Sequence, residues 1–144
     1  MIPAEKQVID LSQAQKIKEL KFNLDTQYCW YVDNNYPSSV GGLCNKGSYY
    51  YDPYDVDWEK GELLEFPALN VAELAIALPG IVYRTSFYNL LIWRVGVGWG
   101  VDYFNSINEP LINRWAGENL AHTMGDRLIW LADQKLINPQ EISL

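Results

Sequence analysis

The sequence has few of the residues that carry most protein chemistry. It holds one histidine, His122, and two cysteines, Cys29 and Cys44, among 144 residues. A zinc site takes three or four ligands from Cys, His and carboxylate side chains, so we predict no metal site. A general base needs an acid or nucleophile beside it, and none accompanies His122, which we interpret as a partly exposed helix residue. No P-loop, G-x-S-x-G or H-E-x-x-H motif is present, and we therefore predict no catalytic residue, no cofactor and a protein that is not an enzyme.

Basic residues are also few. Eleven Lys and Arg stand against eighteen Asp and Glu, for a formal net charge of -7. Nucleic-acid-binding domains carry a basic excess because phosphate contacts dominate their affinity, so we exclude nucleic acid as a partner. The chain lacks the run of about 20 apolar residues that a membrane span requires, and its first ten residues contain no apolar stretch typical of a secretion leader. We expect a cytoplasmic protein that makes no membrane contact, in which Cys29 and Cys44 are reduced thiols.

Aromatic residues, by contrast, are abundant: the chain has ten Tyr, six Trp and four Phe. Hydrophobic residues make up 49% of the sequence, which is enough to build a sizeable core and excludes intrinsic disorder. The length fits one domain, which we place over residues 1–144.

Three segments have the periodicity and the end residues of helices. The first spans Asp10–Leu20, with Ser12 as the expected N-cap and Gln15 completing a capping box. The second begins after Asn70, with Glu73 at the capping-box position, and ends at Pro79-Gly80. The third runs from about Glu118 to Lys135, and its predicted core stripe has 3–4 spacing: Ala121, Met124, Leu128, Leu131 and Ala132.

Aromatic and β-branched residues predict the strands. We place strands at Gln27–Val32, Ser48–Tyr51, Ile81–Arg84, Tyr88–Val95 and Trp99–Phe104. A long loop separates the first two, and the acidic stretch Asp52–Glu65 is expected to be a solvated loop. Alternation of strands and helices is too sparse for a parallel doubly wound sheet. We therefore predict an α+β fold: one antiparallel sheet of about four to five strands with about three helices on one face.

Two short patterns resemble ligand loops but fail in detail. The segment Asp55–Gly61 alternates acidic residues like a calcium loop, yet it lacks glycine and glutamate at the required positions. The series Gly96, Gly98 and Gly100 precedes a strand-like segment, whereas a dinucleotide loop would open a helix. We predict a solvated loop for the first pattern and a hairpin turn or bulge for the second.

Arginines lie beside aromatic residues in the second half of the chain, and two interpretations are open. Aromatic faces and a guanidinium can hold a base by stacking and charge-assisted hydrogen bonds. Alternatively, the rings pack the sheet onto the helices while the arginines pair with acids, and we favour this alternative. If a ligand pocket exists, we predict that it is lined by Tyr83, Arg84, Trp93, Arg94, Trp99 and Tyr103.

Local motifs along most of the chain resemble a group of uncharacterised small proteins encoded by bacteriophages and bacterial mobile elements. The resemblance rests on Leu11-Ser12, Lys18-Glu19-Leu20, Tyr28-Cys29-Trp30-Tyr31, Phe66-Pro67-Ala68, Glu73-Leu74, Leu78-Pro79 and Leu128-Ile129-Trp130-Leu131. It implies a compact accessory protein in the cytoplasm of a bacterial host and no particular activity.

Two functional hypotheses follow. The leading one is a non-enzymatic accessory protein that acts by binding a protein partner. The alternative is an anti-defence protein that sequesters a nucleotide-like immune signal in the aromatic and arginine pocket of a homo-oligomer.

Overall fold

The computed structural model describes residues 6–33, 42–45, 63–113 and 117–144. Within these ranges the chain forms three α-helices, six β-strands and a 3-10 turn at Pro139–Glu141. The helices are α1 (Leu11–Glu19), α2 (Val71–Ala77) and α3 (Leu120–Asp133). The strands are β1 (Tyr28–Asp33), β2 (Gly42–Asn45), β3 (Leu63–Ala68), β4 (Ile81–Tyr83), β5 (Phe87–Val95) and β6 (Gly98–Phe104).

The predicted α+β class is confirmed, but the prediction of one sheet is wrong. The described strands form two antiparallel sheets of three strands each, ordered β2-β1-β3 and β4-β5-β6. Helix α2 lies between β3 and β4 in the chain. The chain therefore leaves the first sheet through a helix and builds the second sheet as a separate local meander.

The first sheet accounts for the other errors in the strand assignment. Strand β2 falls in a segment that we predicted as loop, and β3 begins inside the predicted acidic loop. Pro67 lies in β3, which is an edge strand, and edges are where a sheet tolerates proline. The predicted strand Ser48–Tyr51 and the calcium-like segment Asp55–Gly61 lie outside the described residues.

Helix α1 lies within the predicted segment, but its N-cap is two residues before the predicted one. Its N-cap is Asp10, whose carboxylate accepts a 2.7 Å hydrogen bond from the Gln13 backbone N–H, while the Gln13 side chain accepts one from the Asp10 N–H. Asp caps a helix as well as Ser does, and here Asp10 takes the cap in place of Ser12. The Gln13 amide also donates to the His122 carbonyl and to Asp126 Oδ1, both at 2.7 Å. A capping residue thus ties α1 to α3.

Helix α2 has the predicted capping box, in which Asn70 and Glu73 each accept a hydrogen bond from the other's backbone N–H. Its buried face is formed by Leu74, Ala77 and the C-cap residue Leu78, whereas Ala75 is exposed.

Helix α3 lies against β6, α1 and α2 and anchors the core. All five residues of its predicted stripe are buried. A Cβ at Gly125 would overlap the side chain of buried Ile9, so this glycine permits the close approach of the segment before α1. The core joins the three helices to one face of the second sheet, through Val82, Tyr88, Val101 and Tyr103.

The meander of β4, β5 and β6 is confirmed, as is the hairpin at the glycine series. Gly96 and Val97 form a two-residue loop between the paired residues Val95 and Gly98. Gly96 has a φ of +57°, the conformation that a type II′ turn requires at its first central position. The series is therefore a turn followed by a strand.

Candidate functional site

The two faces of the second sheet differ sharply, and we name them here. The inner face packs on the helices and includes Val82, Tyr88, Val101 and Tyr103, all buried. The outer face carries the alternate positions and is defined by Ile81, Tyr83, Phe87, Asn89, Leu91, Trp93, Val95 and Phe104. Alternate residues of a strand point to opposite sides of a sheet, so the register assigns each side chain to one face.

The structure divides the six predicted pocket residues between these faces. Tyr83 and Trp93 lie on the outer face, and Tyr103 is on the inner face. Arg84 is exposed just beyond β4. Only Arg94 and Trp99 remain together, as cross-strand partners of β5 and β6. The six residues do not line one pocket.

The Arg94 guanidinium lies over the Trp99 ring, with Cζ 4.7 Å from the ring centroid. This is within the distance of a cation–π contact. Trp99 is further held by its backbone, which exchanges hydrogen bonds of 2.8 and 3.1 Å with Gly117. The indole is therefore fixed by β6 on one side and by the segment that leads into α3 on the other.

Tyr103 is a core residue. Its hydroxyl donates a 2.6 Å hydrogen bond to the Pro79 carbonyl. Burial raises the pKa of the Tyr103 phenol well above its ordinary value, and the neighbouring Asp102 carboxylate raises it further. The phenol is thus held neutral as a structural donor.

A cleft of about 1030 Å³ opens where the first turns of α2 and α3 meet the start of β1. We call it the helix-start cleft. Two aromatic residues, Tyr28 and Trp99, line it. Polar side chains at its wall come from Lys6, Gln7, Gln27, Asn70, Glu118, Asn119 and His122. Apolar atoms still make up most of the surface of the cleft, as they do in small-molecule sites.

The cap of α3 shapes the rim of this cleft. Asn119 accepts a 3.1 Å hydrogen bond from the His122 backbone N–H and donates one of 3.0 Å to the Lys6 carbonyl. One capping side chain thereby fixes the start of α3 and the N-terminal segment together. Because both polar ends of Asn119 are engaged, its role is to position Lys6 and His122.

His122 is a partly exposed residue of α3, as predicted, but its place in the cleft was not predicted. Its Nε2 atom is shielded from solvent and has no hydrogen-bond partner among the described residues. Buried polar atoms without a partner are rare in folded proteins. A single histidine without neighbouring motif residues carries no sequence pattern from which this position could be inferred.

The outer face is unusually apolar for a surface. The exposed fractions are 59% for Ile81, 61% for Tyr83, 67% for Phe87 and 52% for Leu91. Tyr83 and Phe87 are in contact, with ring centroids 5.1 Å apart. The only Lys, Arg, Asp or Glu among the outer-facing positions of β4, β5 and β6 is Asp102, which is buried. This composition is typical of a surface that contacts another molecule.

The Trp93 side chain covers part of the outer face. A Cβ at Gly100 would overlap its indole ring, so the ring lies across the glycine of the neighbouring strand. Phe104 contacts the same ring edge-on, with centroids 5.7 Å apart. Trp93 is therefore a half-buried part of the sheet surface, and it lies on the opposite side of the sheet from Trp99.

Cys29 and Cys44 lie directly opposite each other on β1 and β2. Both are thiols in the structure; Cys29 is buried, with its Sγ 3.8 Å from Thr26 Oγ1, and Cys44 is partly buried. Within the described ranges, no three His, Cys, Asp or Glu side chains are grouped as metal ligands. None of the helices described above is long and apolar enough to cross a membrane.

Comparison with protein-family models, with curated proteins and with solved structures finds no match to this chain. The candidate sites therefore rest on their own geometry.

Proposed function

We propose that this protein is a non-catalytic binding protein that holds a nucleotide-like small molecule in the helix-start cleft. The observation that carries the proposal is the cleft itself: about 1030 Å³, at the upper limit of the usual size of ligand pockets, with two aromatic residues and several polar side chains at its wall.

The polar groups favour a ligand that is recognised mainly by hydrogen bonds. The cleft contains one ammonium, from Lys6, and one carboxylate, from Glu118, so their charges offset each other. A nucleoside or a nucleotide with one phosphate suits this balance better than a polyphosphate, whose several negative charges would need more than one cation.

Trp99 supplies the stacking surface. A base stacked on an aromatic ring gains about 1–3 kcal/mol, and the Arg94 guanidinium holds this indole in place. The Gln27 amide nitrogen can donate to the edge of a base, while its oxygen accepts a 3.4 Å hydrogen bond from Asn70 Nδ2. Of the six residues that we predicted from sequence, this site retains Trp99 in the wall and Arg94 behind it.

The test is a thermal-shift screen of nucleosides, nucleoside monophosphates and cyclic nucleotides. A ligand at 100 times its Kd stabilises the folded state by about 2.7 kcal/mol, which raises the Tm. We expect the shift to disappear in Trp99→Ala and to persist in Trp93→Ala, the matched control that removes an indole from the outer face. A screen without any shift, or a shift retained in Trp99→Ala, would overturn the proposal.

A second candidate function is partner binding by an accessory protein of bacteriophage or mobile-element origin, acting in the host cytoplasm. The apolar outer face favours it, since exposed patches of this kind mark interaction sites. This candidate does not use the helix-start cleft, so variants of Trp99 and of the outer face separate the two functions.

A further inference from the structure

We propose that the outer face of the second sheet is a homodimer interface, with a second copy of this chain packed face to face against it. The inference is independent of the ligand proposed for the helix-start cleft. It rests on the register, the charge and the size of the outer face.

Register makes the apolar surface continuous. Tyr83 lies opposite Phe87, and Ile81 lies opposite Asn89. Leu91 and Val95 continue the same side of β5 towards the hairpin, where Val97 is 81% exposed at the tip. Apart from Asn89, apolar side chains therefore follow this side of β5 along its whole length. Sheets that pack face to face interdigitate such rows at a separation of about 10 Å.

The charge distribution favours a second copy at this face. Each chain carries a formal net charge of -7, so two copies repel each other wherever their acidic surfaces meet. At the outer face the one acid, Asp102, is buried and accepts hydrogen bonds from the backbone N–H groups of Tyr103, Ile112 and Asn113. Two copies that meet here bring together no exposed carboxylates from the outer-facing positions of β4, β5 and β6, which favours self-association of an acidic protein at this face.

The exposed area matches what a dimer needs. Aromatic side chains bury about 150–250 Å² each, so the exposed parts of Tyr83 and Phe87 offer about 250 Å². The exposed parts of four aliphatic residues add about 200 Å², when the area of each side chain is calculated from its free energy of burial. These residues are Ile81, Leu91, Val95 and Val97. Homodimer interfaces are about 65% apolar, so this patch corresponds to about 700 Å² per copy, close to the about 800 Å² of a standard interface.

A two-fold axis through the face gives a closed pair. In an isologous interface each residue contacts the same set on the partner, so one patch is sufficient and no further copies are added. A single substitution consequently acts twice, once in each copy.

The test measures mass in solution by light scattering or sedimentation over a range of concentrations. We expect twice the 16.6 kDa of the chain for the wild type. We expect Leu91→Lys and Phe87→Glu each to weaken dimerisation by at least about 100-fold, because each buries two unpaired charges. The two substitutions have opposite sign, so loss of the dimer in both reports the buried charge and excludes an effect of net charge.

Ile76→Lys is the matched control. Ile76 is 70% exposed on α2, away from the second sheet, and the variant should stay dimeric. Leu91 and Phe87 are half or more exposed, so their variants should fold, which circular dichroism and an unchanged monomer Tm verify. A wild type that stays monomeric at every concentration, or a dimer that survives both substitutions, would overturn the proposal. If the wild type is monomeric and Leu91→Lys abolishes its binding to another protein, the outer face binds that protein and the dimer proposal is overturned.

Discussion

The two faces of the second sheet are built from nearly the same residue types and have opposite environments. Tyr88 on the inner face is 8% exposed, whereas Phe87, its neighbour in the chain, is 67% exposed on the outer face. Antiparallel sheets with one solvated face usually alternate apolar and polar residues. Strand β5, Phe87-Tyr88-Asn89-Leu90-Leu91-Ile92-Trp93-Arg94-Val95, instead has the composition of a strand covered on both sides. The helices of this chain cover the inner face, and the apolar outer face is where we propose that a second copy packs.

The first test of this comparison places a lysine on each face in turn, and the largest effect is expected on the inner face. Val101→Lys puts an ammonium at a fully buried inner position, beside Arg127, whose Nε donates to the Val101 carbonyl at 2.6 Å. We expect a loss of more than about 4 kcal/mol in the free energy of unfolding, because an unpaired buried charge is among the costliest changes. Urea unfolding, or failure to fold at all, reports it.

Leu91→Lys is the outer-face counterpart. At sub-micromolar concentration, where self-association contributes little, the free energy of unfolding should change by less than about 1 kcal/mol, because the side chain is already half exposed and lysine is only a moderately poor strand former. Equal losses for the two variants would show that the outer face is covered by the chain itself.

Local patterns were sufficient to predict much of the fold. The capping box at Asn70 and Glu73, the stripe on α3 and the meander are confirmed because each depends on neighbours within a few residues. The division into two sheets was not predictable in this way. Strand β3 pairs with β1 across about 30 residues of intervening chain, and a pairing of that separation has no local pattern.

The sites were less predictable than the fold. Adjacency in sequence suggested that Trp93 and Arg94 act together, yet alternation along β5 puts them on opposite faces. Gly100 was interpreted as part of a turn, whereas in β6 its missing side chain makes room for the Trp93 ring. The helix-start cleft combines residues from Lys6 to His122, and only the tertiary fold brings them together.

Asp102 is the one charged residue at an outer-facing position of the second sheet, and it is only 2% exposed. Its carboxylate accepts three backbone hydrogen bonds, of 2.7, 3.0 and 3.0 Å, and thereby attaches the segment at Ile112 and Asn113 to β6. Asp102→Ala leaves these donors without their acceptor, and we expect a loss of about 2–3 kcal/mol in the free energy of unfolding. Chemical denaturation measures it.

The control for Asp102 is another aspartate with a weak contact. Asp133 makes an exposed ion pair with Lys16 at 3.8 Å, and such pairs contribute little. Asp133→Ala should change the free energy of unfolding by less than about 0.5 kcal/mol. If both alanine variants have the same small effect, the hydrogen bonds of the Asp102 carboxylate do not stabilise the attachment of the segment at Ile112 and Asn113 to β6.

A smaller loss than that of Asp102→Ala is expected at Tyr103, the inner-face phenol that donates to Pro79. Tyr103→Phe removes that hydrogen bond and should cost about 1 kcal/mol near pH 8. Burial, followed by the Asp102 charge, raises the pKa of this phenol in the folded protein, so the unfolded chain loses its proton first as the pH rises. The contribution is therefore complete below about pH 10, the ordinary tyrosine pKa, and decreases above it by up to about 1.4 kcal/mol per pH unit. Wild-type stability should fall more steeply than that of Tyr103→Phe between pH 10 and 11. Parallel curves for the two proteins would mean that Tyr103 is not held neutral by burial.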